Sequence, residues 1–205
     1  MKILWLLVSY GLLLIAMSVH EFAHGWTAYK LGDNTAKYQG RLTLNPLAHI
    51  DLMGTVLLPL FIFISSGGRL IFGAAKPVPI DYRSFRNPHR DIMLVGLSGP
   101  LSNFIFAFLL GLIARVLPGS YLAQVFLVNL ILINVVLGVF NLIPIPPLDG
   151  SRVLIGFLPP GAARAYASIE PYGFFIILFL VGFGLLNIWP VVDLILRFII
   201  GGAAL

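Results

Sequence analysis

His20, Glu21 and His24 stand in the run Val19-His-Glu-Phe-Ala-His-Gly25 and form the pattern H-E-x-x-H. On a helix, residues four apart share a face, so both imidazoles look the same way while Glu21 sits about 100° around the axis. That arrangement lets two imidazoles grip one zinc ion and a carboxylate handle the proton of an attacking water. The chain has four His and two Glu in 205 residues, so shuffling would produce the pattern on the order of once in a thousand chains. A polar patch on a packed helix is the bland alternative. Three ionisable groups within an apolar segment nevertheless need a reason to be there.

Catalytic zinc takes three protein ligands and keeps one position open. The chain contains no cysteine, which excludes disulfides and thiolate ligation, so the third ligand is an acid or an imidazole. His49, Asp51, Asp81, His89, Asp91, Asp149, Glu170 and Asp193 are the candidates. Asp149 stands out among them. It follows a long apolar run that ends at Pro144-Ile-Pro-Pro-Leu-Asp-Gly150, and an unpaired carboxylate at that depth would be costly unless a cation offset it.

The elements that must position these groups are membrane segments. The chain is 59% hydrophobic and 10% charged with a mean hydropathy of +0.99, which describes an all-α polytopic membrane protein. The net charge of +5 reads as loop charge facing anionic lipid, since no basic run interleaved with aromatics suggests nucleic acid. Residues 3–29 form a first, retained helix, with His20 about 25 Å beyond Ile3 and so toward the far face of a core about 30 Å thick. Residues 92–117, 121–142 and 172–189 are further spans, the last with an aromatic anchor at each end. The stretch after Pro190 is a short helix with Asp193 and Arg197 as an i, i+4 pair. Residues 52–64 are apolar but too short for a clean span and contain Gly54 and Pro59, which predicts a re-entrant segment returning near Phe72. Residues 73–90 are basic and lie at the surface, extended around Lys76-Pro-Val-Pro79. Gly40-Arg41-Leu42-Thr43-Leu44-Asn45 alternates polar and apolar and predicts a short β-strand or hairpin edge. Four to six membrane segments result.

Three of these stretches together carry a family resemblance. H-E-x-x-H at 20–24, Gly99-Pro-Leu-Ser-Asn103, and Asn141-x-x-Pro144-x-x-Pro147-Leu-Asp-Gly150 resemble, in that order, the site-2 proteases, intramembrane zinc metalloproteases. The resemblance covers about residues 5–155 as a catalytic core, with accessory helices over about 162–205, in one membrane-embedded peptidase domain. It implies one Zn2+ per chain on His20, His24 and Asp149, with Glu21 as the acid/base and Asn141 beside the substrate or transition state. Asn103 carries over as a weaker substrate contact. Two features depart from the family's pattern: the inserted region 31–90, and a length that leaves no room for a PDZ or other regulatory domain of about 90 residues. A minimal single-domain member is the expectation.

The implied activity is hydrolysis of peptide bonds within or next to membrane spans, on single-span proteins or membrane peptides, with the bilayer as the other partner and no nucleic acid. A helical substrate must unwind, and stranded polar groups in lipid cost several kcal/mol each. The strand at 40–45 is expected to pair with it by strand addition. An ion transporter and a non-cleaving helix-binding scaffold are the competing readings. Transport needs polar groups along a path, whereas the spans at 92–117 and 172–189 carry almost no ionisable residues, and ligation alone does not require Glu21. Eight of the thirteen Lys and Arg fall between residues 30 and 90, which places that region and the site toward the cytoplasmic face of a prokaryotic cell membrane.

Overall fold

A computed structural model describes residues 2–65, 75–116 and 119–201. The expected return near Phe72 falls outside them. Among the described residues every regular element is helical. Helix α1 (Lys2–Lys30) carries the His-Glu-His turn near its C-terminal end. It stops because Gly32 adopts φ +112°, which lets Gly32 N–H reach Tyr29 O at 3.2 Å and Asp33 N–H reach Ala28 O at 2.9 Å. This is a Schellman closure, and a Cβ would strain it.

The short helix α2 (Thr35–Tyr38) leads into residues 40–45. The strand expected there does not form. A strand needs a partner for its ladder, and these residues bond elsewhere: Arg41 N–H to Ala36 O at 2.8 Å, Asn45 N–H to Thr43 Oγ1 at 3.1 Å, and Thr43 O to His49 Nε2 at 2.8 Å. The polar and apolar alternation sorts side chains around an irregular turn instead. Arg41 is buried and its Nη2 donates to Lys76 O at 2.9 Å.

Residues 52–65 wind first as wide π-type turns over Leu52–Leu57 and then as α3 (Leu58–Ser65). Fourteen helical residues rise about 21 Å, short of the roughly 30 Å hydrocarbon core. Tyr10 on α1 donates to Thr55 O and pins this segment. His49 O accepts from Lys76 N–H at 2.9 Å, so the chain before and after this excursion is tied together.

Among the described residues three helices are long and apolar enough to cross a membrane: α1, α4 (Pro88–Val116) and α5 (Tyr121–Asn141). They pack side by side, with α6 (Asp149–Phe157) folded against α4. Helices α7 (Pro160–Ala167) and α8 (Glu170–Gly182) meet at 64° and count as a fourth span at most. The span expected over 172–189 therefore ends early. Gly184 at φ +67° closes α8, with Leu185 N–H on Leu180 O at 2.8 Å and Gly184 N–H on Val181 O at 3.1 Å. Helix α9 (Trp189–Ile200) contributes Val192, Leu196 and Ile199 to a core shared with Ala107 and Leu110 of α4 and Ile131, Val135 and Val139 of α5. Its Asp193 and Arg197 pair at 2.8 Å as expected. Many large apolar side chains on α4 and α8, such as Ile105, Leu109, Phe175 and Leu178, face outward, which suits lipid.

Candidate metal centre

The His-Glu-His turn lies against the backbone of α4. A Cβ at Gly99 would stand 2.6 Å from His24 Cε1 and 2.7 Å from His20 Cε1, so only glycine leaves room for both rings. His24 Nδ1 lies 2.7 Å from Val95 O. A carbonyl only accepts, so Nδ1 carries the proton and Nε2 presents a lone pair. His20 Nδ1 lies 2.7 Å from Asn103 Oδ1, with the same consequence for its Nε2. Both rings are thus held in the tautomer that metal ligation requires, each by a partner behind it.

Asp149 arrives from the other direction. Helix α5 ends at Asn141, three prolines deny a continuing helix its donors, and the chain turns through a cis Pro146–Pro147 bond into α6, whose first residue is Asp149. The helix N-terminus favours a carboxylate there. Asp149 Oδ2 lies 2.9 Å from His20 Nε2 and 3.2 Å from His24 Nε2, and the two Nε2 atoms are 3.0 Å apart. With both rings neutral, three lone-pair donors therefore converge. That donor set, two imidazole nitrogens and one carboxylate oxygen, fits zinc with a position left open. Among the described residues it is the one such group of three His or acidic side chains. The remaining third-ligand candidates do not join it, His89 being exposed in the first turn of α4. His49 is buried on Thr43 O, Asp51 accepts from Gly54 N–H, Asp81 pairs with Arg83, Asp91 accepts from Asn87 N–H, Glu170 faces Arg152 and Asp193 faces Arg197.

A cavity of about 200 Å³ opens on the three ligand atoms, and Glu21 and Asn141 line it. Glu21 Oε2 accepts from Val78 N–H at 2.7 Å. Pro77 and Pro79 have no N–H, so Val78 is the sole backbone donor over residues 77–79, and its buried side chain seats beside Gly25. Asn141 Nδ2 donates to Leu137 O at 3.0 Å. Asn103 does not reach the cavity: it is fully buried behind His20, so its position suits ring orientation rather than substrate contact. Gly40, Arg41, Leu42, Thr43, Leu44 and Asn45 are also absent from the cavity wall.

Several wall residues had not been singled out from sequence. Val78 could have been found as the one donor between two prolines. Tyr82 and Arg152 also line the cavity, the Arg152 guanidinium lying over the Tyr82 ring at 5.2 Å. Burial pushes the Tyr82 phenol above its ordinary value, so it remains a donor at neutral pH. Nothing local in the sequence marks Arg152 or Tyr82, because they meet only through the packing of α6 beside α4.

The model of peptidase family M50 matches residues 120–183. The chain is 40% identical over 194 residues to YwhC of Bacillus subtilis strain 168, named as a zinc metalloprotease, covering 88% of this chain and 84% of that one. It is 34% identical over 178 residues to Rip2 of Mycolicibacterium smegmatis, also named as a zinc metalloprotease, covering 86% of this chain and 67% of the relative. A shorter match, 29% over 111 residues, joins it to the regulator of sigma E protease of Haemophilus influenzae, covering 52% of this chain and 25% of that protein. No solved structure matches.

Proposed function

Because the chain belongs to peptidase family M50, the site-2 proteases, and is an intramembrane zinc metalloprotease, we propose that His20, His24 and Asp149 hold its zinc and that Glu21 is its acid/base. The observation that carries this reading is the return of the Asp149 carboxylate, 125 residues on in sequence, to within 3.2 Å of both Nε2 atoms, on a cavity that also contains Glu21.

Zinc supplies Lewis acidity at this position, polarising a peptide carbonyl and acidifying water. The chain's own residues do the rest. The His20 and His24 rings are fixed from behind, so no reorganisation is needed at the moment of reaction. Glu21, with one oxygen engaged by Val78 N–H, takes the proton of the attacking water on its carboxylate and returns it to the leaving amine nitrogen. Water adds across the C–N bond, yielding a carboxylic acid and an amine. The Asn141 amide, on the same wall, donates to the substrate carbonyl or backbone as charge develops.

The substrate is a membrane span or membrane peptide that unwinds at the cleaved bond, since a helical carbonyl is already bonded. Residues 49 and 76, which flank the apolar stretch read as re-entrant, lie on the same side of the membrane. The tie between His49 and Lys76 supports this, and so does the contact of His24, near the end of α1, with Val95, near the start of α4. By the charge of residues 30–90 that side is the cytoplasm.

The test is Glu21→Gln on purified protein with a panel of single-span substrates. Cleavage should fall by about 10²–10⁴-fold while zinc content stays at one per chain. Undiminished cleavage would overturn the assignment of Glu21, and a chain that moves zinc across vesicles without cutting would favour the transporter.

A further inference from the structure

The two ligand histidines are oriented by different means. His24 leans on a backbone carbonyl, Val95 O, which can only accept. His20 leans on a side-chain amide, Asn103, and an amide can face either way. With Oδ1 toward the ring, Nδ1–H is required and Nε2 is free to ligate. With Nδ2 toward the ring, the proton moves to Nε2 and blocks it.

The choice is made by acceptors on α1 and α5. Asn103 Nδ2 donates to Ala16 O at 3.2 Å and to Asn134 Oδ1 at 2.8 Å. Asn134 Nδ2 in turn donates to Leu130 O at 2.8 Å. Leu130 O, a carbonyl, anchors the series. Turning Asn134 over would set its oxygen against that carbonyl and its NH2 against the NH2 of Asn103. Asn103 and Asn134 are both 0% exposed, so neither amide can exchange a mismatched partner for water, and a half-satisfied buried network is costly.

We propose that Asn134 is a positioning residue for the metal centre: through Asn103 it fixes the amide orientation that keeps His20 Nε2 unprotonated toward zinc. This rests on the reading of His20 as a zinc ligand. Outer partners of ligating histidines typically contribute 10–100-fold in metal affinity. Because Ala16 O still supports Asn103, the loss on removing Asn134 should lie near the lower end, about 10-fold.

The experiment measures zinc affinity by chelator competition on the purified full chain in lipid nanodiscs, alongside the melting temperature of the metal-free protein. Asn134→Leu should weaken zinc about 10-fold. Asn134→Asp, neutral in this apolar setting and able to accept from Asn103 while donating to Leu130 O, should recover most of that loss. Asn129→Leu removes an amide of the same helix that bonds Val125 O and should leave zinc affinity unchanged. Histidine 15N spectra of the metal-free wild type should show His20 protonated at Nδ1, a readout that does not depend on any variant folding. Wild-type affinity in Asn134→Leu, an Asp variant as weak as the Leu variant, or His20 without a proton at Nδ1 would each overturn the proposal. His20→Ala retaining full zinc affinity would instead overturn the ligand assignment beneath it.

Discussion

One methyl group at residue 99 would reach both ligand rings. The Cβ of an alanine there would lie inside van der Waals contact with the Cε1 atoms of His20 and His24. Each ring is tethered behind, by Asn103 and Val95, and cannot swing aside without losing that bond. Overpacking of this kind costs about 1–3 kcal/mol, and here the cost falls on ligand geometry. Gly99→Ala should therefore weaken zinc about 5- to 160-fold in a chelator competition. Gly11→Ala on α1, where a Cβ would meet nothing within 4 Å, should bind zinc as the wild type does and melt no lower, since alanine favours a helix by about 1 kcal/mol over glycine. The Gly99-Pro100 pair is visible in the sequence, but there it only contributes to a resemblance. Its use becomes plain only when α1 is laid against α4 with two imidazoles between them.

Helices were legible in proportion to their length. The apolar runs of α1, α4 and α5 announce themselves, and the Pro-Pro-Leu-Asp-Gly turn announces where α5 stops. Residues 40–45 did not follow their alternation, because a lone strand has no ladder to join and Arg41 found carbonyls at Lys76 and Pro77 instead. The end of α8 was missed because Phe183-Gly184-Leu185 is apolar throughout, and only the positive φ of Gly184 reveals the closure. The pairing of α8 with the metal centre was invisible for a different reason: it depends on one backbone contact. A Cβ at Gly173 of α8 would run into the Pro146 carbonyl, with Pro147 N at 3.1 Å, on the turn that delivers Asp149. Backbone cannot yield as a flexible side chain does, so Gly173→Ala should displace the turn and lower both zinc affinity and cleavage, although Gly173 lies outside the cavity wall. Gly182→Ala, on the same helix with nothing within 4 Å, should do neither. Equal behaviour of the two variants would show that α8 does not brace the Asp149 turn.

At the scale of the whole molecule, the metal centre constrains how the chain threads the bilayer. His24 lies near the end of α1 and Val95 near the start of α4, and their contact sets these helices antiparallel, with the end of one level with the start of the other. Asp149 follows the end of α5 and reaches the same histidines, so α5 must return to the level where α1 stopped. Residues 31 and 87 then lie at one level of the structure, which the re-entrant reading requires. A chain without cysteine allows a direct check, because each introduced thiol is the sole target of a membrane-impermeant maleimide. Tyr38 and Tyr121 are each 83% exposed, and the Arg83 side chain is 91% exposed. Tyr38→Cys and Arg83→Cys should label alike, and Tyr121→Cys, at the start of α5, should label from the opposite face. In intact cells the first two should react only after permeabilisation, while Tyr121→Cys should react at once. Opposite sidedness of Tyr38→Cys and Arg83→Cys would mean that segment 50–75 crosses. If all three keep their relation but with the faces exchanged, the re-entrant path stands and the cytoplasmic placement falls.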